Sequence, residues 1–457
     1  MPQTFRPISA ELRVFRSEFG AHLFVVEGSR IYDVDAEMAR AIERSGADGN
    51  GGEELKRQLG AALGLGAPSP WAIDADPPSL PPLRSISLNV AQSCNMACSY
   101  CYADEGRFGG PARAMDRATA EAAIDRLILE SEPGARLTLG FMGGEPLLNR
   151  DVLHHATRYA SAAADRHGRE MRFSLTTNAT LLRPEDARLF HDHPFSVQIS
   201  LDGQRFQNDE ARPMKNGRSA HDHVMKALEL MNGPGRPMQL AARATVTPKT
   251  RGLPARLDHL ISLGFDEAGF APVLASPSSA DAFTEAELDH FLDEMIACGT
   301  KAYHEIAAGR SYPFANFETA LAEIHRGSHR PYACGAGAAY LSANADGRLF
   351  ACHRLVDDAR FLMGDVFAGL HDVRRAAHLQ RTHVDGIEPC RGCWARYLCG
   401  GGCQHEVDRR GRIGCDYIRG WLEFCLGRYI ELLSRRPDYF ASGARPAEIG
   451  LASLTAG

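Results

Sequence analysis

The chain has 457 residues, of which 44% are hydrophobic and 24% charged, and its formal net charge is −6. These values are typical of folded proteins and exclude a largely disordered or collagen-like chain. The length exceeds one ordinary compact core, so two or three domains are expected, and the small net charge, spread along the sequence, indicates no basic surface for nucleic acid.

The first twenty residues contain no apolar stretch of signal-peptide length, and no uncharged apolar run is long enough to span a bilayer. We therefore expect a cytoplasmic protein that contacts neither membrane nor nucleic acid. The chain holds twelve cysteines. Because the cytoplasm keeps thiols reduced, ligation of a metal or cluster explains them better than disulfides do.

Residues 1–64 are predicted to form a separate module. The stretch HLFVVEGSRIYDVD carries β-branched and aromatic residues on both sides of a glycine, which predicts two strands about a turn at 27–29. AEMARAIERS and EELKRQLGAAL then show the spacing of amphipathic helices. Residues 65–84 are rich in proline, which sustains neither helix nor sheet, so they are predicted to form a linker.

Between residues 85 and 275, short apolar runs alternate with amphipathic helical stretches. The runs are SISLNVA, RLTLGFM, MRFSLTT, FSVQISL, LAARATV and EAGFAPV. Repetition of strand, helix and strand predicts parallel strands joined by right-handed crossovers. Six such units predict an α/β fold, a partial or full β/α barrel, with its chemistry on loops that follow the carboxyl ends of strands.

The last third of the chain differs in composition. Residues 276–330 are predicted to form a helical bridge, and residues 331–457 a loop-rich domain in which glycine and cysteine rise together. Small domains with a limited apolar core are often held together by metals. We therefore predict that inorganic clusters replace much of the core in this domain.

Three cysteines follow the first predicted strand of the barrel directly. Cys94, Cys98 and Cys101 form the pattern CxxxCxxC, and the next cysteine along the chain is the isolated Cys298. A closed zinc or iron-sulfur site takes four ligands. Three thiolates suit a 4Fe-4S cluster whose fourth iron is open to an exogenous ligand, and the alternative is a zinc loop completed by a distant histidine. We interpret Cys298 as a small buried hydrophobic residue.

This cysteine loop resembles the radical S-adenosylmethionine (SAM) superfamily. In that family the amino and carboxylate groups of SAM chelate the open iron, and the reduced cluster cleaves SAM to a 5′-deoxyadenosyl radical. The resemblance implies that Cys94, Cys98 and Cys101 hold the catalytic cluster.

Three further fragments resemble motifs of the same family, each at a predicted strand end. FMGGEP resembles the family's GGE motif. TTNAT resembles a TNG-like strand end, with alanine in place of the glycine. ISLDGQRFQNDEAR resembles the family's SLDG…DxxR stretch. The resemblance implies a glutamate that pairs with the ammonium group of SAM and an arginine that holds its carboxylate. The SAM contacts it implies are Tyr100, Gly143, Gly144, Glu145, Thr177, Asn178, Ser200, Asp202 and Arg212.

The C-terminal cysteines have a spacing of their own. Gly347 and Cys352 form Gx4C, and CRGCWARYLCGGGC reads Cx2Cx5Cx3C. The pattern resembles the SPASM extension of radical SAM peptide maturases, which binds two auxiliary 4Fe-4S clusters, and zinc ribbons are the alternative. The resemblance implies one auxiliary cluster on Cys334, Cys352 and Cys403, and another on Cys390, Cys393, Cys399 and Cys415. The implied cofactors are thus three 4Fe-4S clusters and SAM.

The first auxiliary cluster then has only three thiolates. Either Cys425, in an apolar helical stretch, completes it, or one iron is open, as in some thioether-forming relatives, and we favour the open site.

His353 follows Cys352, where related sulfatase maturases tend to carry an aspartate that serves as a base. This difference counts against formylglycine formation, and we interpret His353 as a residue bonded to cluster sulfur.

The N-terminal module resembles the winged-helix peptide-recognition element of ribosomal-peptide maturases, in which a leader peptide pairs with a strand edge. A dimerisation or stabilising domain is the alternative. The expected fold is therefore α/β: a partial (β/α)6 radical SAM barrel between that module and a SPASM domain.

Three C-terminal fragments most resemble the quinohemoprotein amine dehydrogenase maturases and related thioether-forming peptide maturases. They are CHRLVDDARFLMGDV, CWARYLCGGGCQHE and CDYIRGWLEFCL. They imply an enzyme that joins a cysteine sulfur to a carbon of a precursor peptide or small protein subunit, with an external electron donor. In the amine dehydrogenase case the acceptors are Asp or Glu methylenes. Carbon-carbon crosslinking and a non-catalytic iron-sulfur electron carrier are the alternatives.

Overall fold

The computed structural model describes residues 11–48, 59, 80–233, 236–237, 239–276, 279–441 and 453–454. The helix predicted from EELKRQLGAAL and most of the 65–84 linker lie outside these residues. Within the described part of the chain, no helix combines the length and apolarity needed to cross a lipid bilayer. The domain boundaries given above stay predictions.

The N-terminal residues form a small antiparallel sheet with one helix. Its elements are β1 (Leu12–Ser17), β2 (Gly20–Val25), β3 (Arg30–Val34) and helix α1 (Ala36–Asp48). The two predicted strands are β2 and β3, with Gly28 at φ +75° in the turn between them. Strand β1 was not predicted, because Arg13 and Arg16 interrupt its apolar pattern. A two-residue strand, β15 (Ser453–Leu454), pairs in parallel with β3.

One histidine ties the three N-terminal strands together. His22 on β2 is 2% exposed, and its ring nitrogens lie 2.7 Å from Ser17 Oγ on β1 and 2.7 Å from Asp33 Oδ1 on β3. The ring also packs against Phe15, with 5.2 Å between ring centroids. Both polar atoms of the imidazole are therefore satisfied inside the sheet, as burial requires.

Six parallel strands form the centre of the molecule, and each coincides with a predicted apolar run. They are β4 (Ser85–Gln92), β6 (Arg136–Gly143), β7 (Glu170–Thr177), β8 (Phe195–Ser200), β9 (Gln239–Val246) and β10 (Glu267–Pro272). Their order across the sheet follows the chain. The two-residue strand β5 (Arg113–Ala114) pairs with β4. Parallel pairing brings the carboxyl ends of all six strands to one edge.

Helices connect these strands. They are α2 (Arg117–Leu129), α3 (Arg150–Arg166), α4 (Pro184–Asp192), α5 (Arg205–Ala211), α6 (Ala220–Met231) and α7 (Leu253–Ser262). The side chains of each strand alternate between a buried apolar face and a more polar one, as in β9, where Leu240, Ala242 and Ala244 are buried. The polar face is called the lumen face below.

The C-terminal third extends the same sheet, which differs from the loop-rich domain that the sequence predicts. Strand β11 (Tyr340–Ala343) pairs in parallel with β4, and β12 (Arg348–Phe350), β13 (Leu362–Asp365) and β14 (Gly369–Leu370) follow as antiparallel neighbours. These strands have at most four residues, which is too short for an alternating pattern to show in the sequence. Ser342 on β11 accepts hydrogen bonds from Ser87 and Asn89 on β4, both at 2.8 Å.

Helices complete this part of the chain. They are α8 (Glu285–Ala307), α9 (Ala315–His325), α10 (Asp372–Thr382), α11 (Arg396–Cys399), α12 (Gln404–Arg410) and α13 (Cys415–Arg435). The long helix α13 contacts α8, α9 and the N-terminal strand β1. Trp421 on α13 packs against Phe314 and Phe317, with ring centroids 6.0 and 6.3 Å away. One helix thereby joins both ends of the chain to the central sheet.

Backbone contacts fix the loop after β4 against the loop after β6. Gly144 N donates to Ala91 O at 2.8 Å, and Glu145 N donates to Ser93 O at 2.9 Å. A Cβ atom at Gly144 would lie 2.1 Å from the Ser93 carbonyl oxygen, and one at Gly143 would lie 2.3 Å from that of Ala91. The glycines of the GGE sequence are therefore required by this close approach, whatever else they contact.

A buried carboxylate holds the helices after β6 and β7 together. Asp186 is fully buried; both of its oxygens accept from Arg150 Nε, at 2.8 and 3.0 Å, and one lies 2.8 Å from His154 Nε2. Burial would raise the pKa of Asp186, but the hydrogen bonds from His154 and Arg150 outweigh it, and the pKa is lowered. The carboxylate is therefore charged in the folded protein.

Replacing Gly144 with alanine is expected to destabilise the protein by about 1–3 kcal/mol, the usual cost of overpacking, because the new methyl group meets backbone that cannot rotate away. Urea unfolding of the cluster-free protein measures the effect. Gly233→Ala is the matched control, since a Cβ there meets nothing within 4 Å. Equal stability of the two variants would contradict the close approach.

Asp186→Asn is expected to lower the free energy of unfolding by about 3 kcal/mol, because it leaves the Arg150 guanidinium half-buried beside a neutral amide. The pKa of Asp186 is lowered on folding, so its contribution exists above the unfolded pKa and disappears as the pH falls through the folded pKa. Unfolding measured from pH 7 down to acid should therefore show a shallower loss of stability in the variant. Asp165→Asn, at an exposed helical position, should behave like the wild type.

Candidate functional site

The CxxxCxxC loop lies at the carboxyl end of β4. Cys94, Cys98 and Cys101 are all partly buried. The loop is held from the far side by the segment after α5, where Ala97 N donates to Pro213 O at 2.9 Å and Lys215 Nζ donates to Cys94 O at 3.0 Å. The protein itself therefore brings the three thiols together.

The electrostatic surroundings of these thiols disfavour bare thiolates. Burial, the carboxylate of Glu145 and the other two cysteines raise the pKa of Cys94 to about 12, and backbone hydrogen bonding offsets them only partly. Burial also raises the pKa of Cys98, against the influence of Arg212. A thiolate set in such surroundings needs a cationic metal centre, since bound metal deprotonates a thiol outright.

Glu145 is fully buried below this loop, and its carboxylate accepts three hydrogen bonds. It accepts from Leu147 N at 3.0 Å, Thr177 Oγ1 at 2.7 Å and Asn178 N at 2.8 Å. Burial nevertheless raises the pKa of Glu145. The strand ends of β6 and β7 thus present an oriented acidic group beside the cysteine loop.

The TNAT sequence forms a tight turn after β7. Asn178 donates to Asn95 Oδ1 at 3.0 Å, and its Nδ2 lies 3.8 Å from Cys94 Sγ. Ala179 has φ +58°, a left-handed conformation that glycine adopts more easily than alanine. The alanine that departs from the family pattern therefore keeps the glycine-type backbone, and Asn178 stays against the first cysteine.

A second buried acid lies on the other side of the loop. The Tyr100 hydroxyl donates to Asp202 Oδ2 and accepts from Arg212 at 2.7 Å, and Thr245 N donates to Asp202 Oδ1 at 2.8 Å. Burial raises the pKa of Asp202, although Arg212 and Tyr100 act to lower it. Ser200 ends β8 two residues before Asp202 and is half-buried on the lumen face.

The predicted SAM contacts therefore gather around one cysteine loop, although the sequence separates them by over one hundred residues. The structure brings Tyr100, Glu145, Thr177, Asn178, Asp202 and Arg212 to this edge, and Gly143 and Gly144 pack against the backbone leading to Cys94. Their role in binding SAM remains a prediction.

The C-terminal cysteines form two groups. Cys352 interacts electrostatically with Cys334 and Cys403, and Cys390 with Cys393, Cys399 and Cys415. The second group borders one pocket, together with Arg412 and Ile418. Cys403 borders this pocket as well, and the division into two auxiliary ligand sets that the resemblance implies stays a prediction. Burial is the main reason that the pKa of Cys352 is raised to about 12 and that of Cys390 to about 11.

Two cysteines lie apart from all three groups. Cys298 on α8 and Cys425 on α13 are both 0% exposed and belong to the hydrophobic core. The core position of Cys298 agrees with its interpretation as a small hydrophobic residue.

His353 contacts both a tyrosine and a cysteine through its Nδ1 atom. This atom lies 3.0 Å from the Tyr340 hydroxyl and 3.8 Å from Cys352 Sγ. Burial lowers the pKa of His353 to about 3.

The sequence analysis missed a stacked contact between the first cysteine loop and the C-terminal cysteines. Tyr102, next to Cys101, lies under the guanidinium of Arg354 at 4.7 Å, and Arg354 also reaches Cys403 Sγ at 3.5 Å and Glu406 at 2.8 Å. Tyr102 and Arg354 border a cavity of about 430 Å³. An aromatic residue directly after the third cysteine was the only signal in the sequence.

Among the described residues, no three His, Cys, Asp or Glu side chains are close enough to share one metal ion. The zinc loop and the zinc ribbon stay open as alternatives to iron-sulfur clusters.

A profile of the radical SAM superfamily matches residues 88–239. The serine-type anaerobic sulfatase-maturating enzyme of Klebsiella aerogenes is 26% identical over 360 residues, which cover 76% of this chain and 86% of that protein. An uncharacterized protein of Archaeoglobus fulgidus is 28% identical over 343 residues, covering 71% of this chain and 75% of the relative.

Solved structures share the fold. The enzyme anSMEcpe with bound AdoMet superposes with a TM-score of 0.67 at 19% identity, covering 79% of this chain and 98% of its own. SuiB of Streptococcus suis, bound to the precursor peptide SuiA, superposes with a TM-score of 0.54 at 15% identity, covering 90% and 99%. The matched profile shows that the chain contains a radical SAM domain, and that family implies one 4Fe-4S cluster and SAM, whereas the superposed structures show the fold alone.

Proposed function

We propose that the chain is a radical SAM maturase that modifies a ribosomally made peptide or a small protein subunit, with thioether crosslinking as its reaction. The observation that carries the proposal is the convergence of four separate sequence motifs on one cysteine loop, described above. Relatives named as sulfatase-maturating enzymes and a neighbour solved with its precursor peptide support a peptide or protein substrate.

The residues around the cysteine loop are proposed to bind different groups of SAM. Glu145, fixed by Thr177 and Asn178, offers a carboxylate to an ammonium group, and Arg212 offers a guanidinium to a carboxylate. Tyr100 and Asp202 keep Arg212 in place and are buried with it, which excludes water from the side of Cys98. When bound, the cluster and SAM supply a 5′-deoxyadenosyl radical that abstracts hydrogen from the substrate.

We further propose two auxiliary 4Fe-4S clusters on the two C-terminal cysteine groups. Cys334, Cys352 and Cys403 form the first group and supply only three thiolates. Cys425, the candidate fourth ligand, lies in the hydrophobic core of α13, and this burial favours an iron left open to a substrate thiol. An open iron in this group is the feature that favours a thioether product over a carbon-carbon crosslink.

The N-terminal sheet is proposed to bind the leader segment of the substrate. Strand β1 contacts α13, whereas the other edge, β3, pairs only with the two residues of β15 in the described chain. An extended peptide could pair with β3 through backbone hydrogen bonds after displacing β15.

Wild-type protein, reconstituted anaerobically and given SAM and a strong reductant, is expected to release 5′-deoxyadenosine. Cys98→Ala should reduce the release to background, because the cluster loses one of its three thiolates. Cys298→Ala is the matched control, since this buried cysteine belongs to no group, and it should retain activity. A wild-type protein with full iron content and no release, with or without added peptide, would instead favour the electron carrier.

Iron content separates the two possibilities for the first auxiliary cluster. We expect about twelve irons per reconstituted wild-type chain, from three four-iron clusters. Cys425→Ala should retain all of them, whereas Cys403→Ala should lose about four. Parallel loss of iron in Cys425→Ala, with the fold intact by circular dichroism, would identify Cys425 as the fourth ligand and remove the open site.

A further inference from the structure

The N-terminal sheet has two buried faces, and the second belongs to the main core of the protein. Leu12 and Leu23 pack with Ile42 of α1 in a small cluster of their own. Side chains alternate along a strand, so Phe15 and Phe24 point to the opposite face. There they join the large core cluster that α13 and the central sheet share. The sheet therefore lies between its own helix and the C-terminal third of the chain.

A stretch of the second group of C-terminal cysteines takes part in that contact. Trp394 follows Cys393 directly, is 6% exposed and meets Phe24 edge-on, with 6.1 Å between the ring centroids. The guanidinium of Arg13 on β1 lies 5.5 Å from the centre of the same indole ring. Arg13 also pairs with Glu423 on α13 at 2.5 Å. Both N-terminal strands therefore contact the residue that adjoins a cysteine of this group.

A buried arginine makes a second link in the same stretch. Arg396 lies between Cys393 and Cys399 in the chain. Its Nη2 donates to Glu11 Oε2 at 2.9 Å, and its Nη1 donates to the Cys393 carbonyl oxygen at 3.2 Å. Glu11 precedes β1, and its own carbonyl accepts from Val26 N at 2.9 Å, which extends the ladder between β1 and β2. One guanidinium thus bonds to the sheet and to the cysteine stretch.

This ion pair differs from another pair between the same parts of the protein. The side chains of Arg396 and Glu11 are 1% and 14% exposed, and removing one partner of a buried pair is strongly destabilising. Arg435 on α13 also reaches the sheet, where it pairs with Glu18 at 2.6 Å, but these side chains are 50% and 37% exposed. Solvent screens such a pair, so it contributes little. The buried pair is therefore the stronger of the two links.

A metal centre bound by the second group would restrain this stretch from both ends. The four cysteines of the group border one pocket: Cys390, Cys393, Cys399 and Cys415. Burial raises the pKa of Cys390 to about 11 and raises that of Cys399 as well, so these thiols need a metal to lose their protons. Trp394 and Arg396 lie between two of the ligands, and metal binding orders the segments that carry its ligands.

Resting on the proposed metal centre of this group, we propose that Trp394 and Arg396 are positioning residues that couple loading of the second cysteine group to the docking of the N-terminal sheet. The centre, an iron-sulfur cluster or zinc, orders the stretch from Cys393 to Cys399, and the ordered stretch holds β1 and β2 in place. The sheet proposed to bind the leader segment is then held best in protein that carries the centre. Because such coupling is reciprocal, a docked sheet also favours loading.

The test is hydrogen exchange of the full-length protein, read by mass spectrometry for the fragment that contains β1 and β2. Wild-type protein loaded anaerobically with iron and sulfide, or with zinc, is compared with chelator-treated protein. We expect one of the two loadings to slow the exchange of this fragment about tenfold, within the usual range of coupling between two sites. Cys415→Ala should lose this effect. Cys98→Ala, which lacks a thiol of the first loop only, should keep it.

Arg396→Gln and Arg435→Gln are the matched pair of variants, because each removes an arginine that pairs with a glutamate of the N-terminal part. Arg396→Gln should bind as much metal as the wild type and yet lose the slower exchange, whereas Arg435→Gln should keep it. If Arg396→Gln does not fold, Glu11→Gln makes the same test from the side of the sheet.

Metal content separates this inference from the proposal on which it rests. Full metal content with no slowing of β1 and β2, or with equal slowing in the reference helix α7, would overturn the coupling and leave the metal centre intact. Slowing that persists in both Arg396→Gln and Glu11→Gln would overturn the link through Arg396. If the wild type holds no more metal than Cys415→Ala, the metal centre and the coupling both fail.

Discussion

The site depends on one close approach of two backbone segments. The loop after β6 passes so near the loop after β4 that the Gly144 position has no room for a Cβ atom beside the Ser93 carbonyl. The same approach places Glu145 under the cysteine loop, where Thr177 and Asn178 of the next strand fix its carboxylate. Three consecutive parallel strands are thereby fixed to one another at their carboxyl ends, before any cofactor is considered.

Charge is the second constraint on this site. Two buried carboxylates, Glu145 and Asp202, lie beside three thiols, and Arg212 is the buried cation among the described residues that contacts this set. Burial raises the pKa of both carboxyl groups, which shows how poorly the folded chain alone supports their negative charge. A cationic cluster and the ammonium group of SAM would supply the missing positive charge, so cofactor binding and the electrostatics of the folded protein support each other.

The sequence predicted the central sheet well because its signal is local. Each of the six parallel strands is long enough, at six to eight residues, for the alternation of buried and lumen-facing side chains to appear, and the helices between them show their own period. Strands β11 to β14 are too short for this signal, and their place in the sheet depends on pairing with β4, more than 240 residues away. Long-range pairing of short strands is not readable from local pattern.

The candidate site shows the same division. Cysteine spacing and the GGE sequence are local, so the residues of the cysteine loop could be named in advance. The contact between Lys215 and the Cys94 carbonyl could not, because the two residues lie 121 positions apart. The contact between Tyr102 and Arg354 likewise joins residues 252 positions apart.

That last contact determines how the cysteine groups relate to one another. Tyr102 follows Cys101 directly, and the guanidinium stacked on its ring also reaches Cys403. The first cysteine loop and the first C-terminal group are thus connected through one aromatic-cation pair, and both members of that pair, Tyr102 and Arg354, border the same cavity. Because Tyr102 adjoins Cys101 in the chain and Arg354 contacts Cys403, any change that separates this pair is expected to disturb both cysteine segments together.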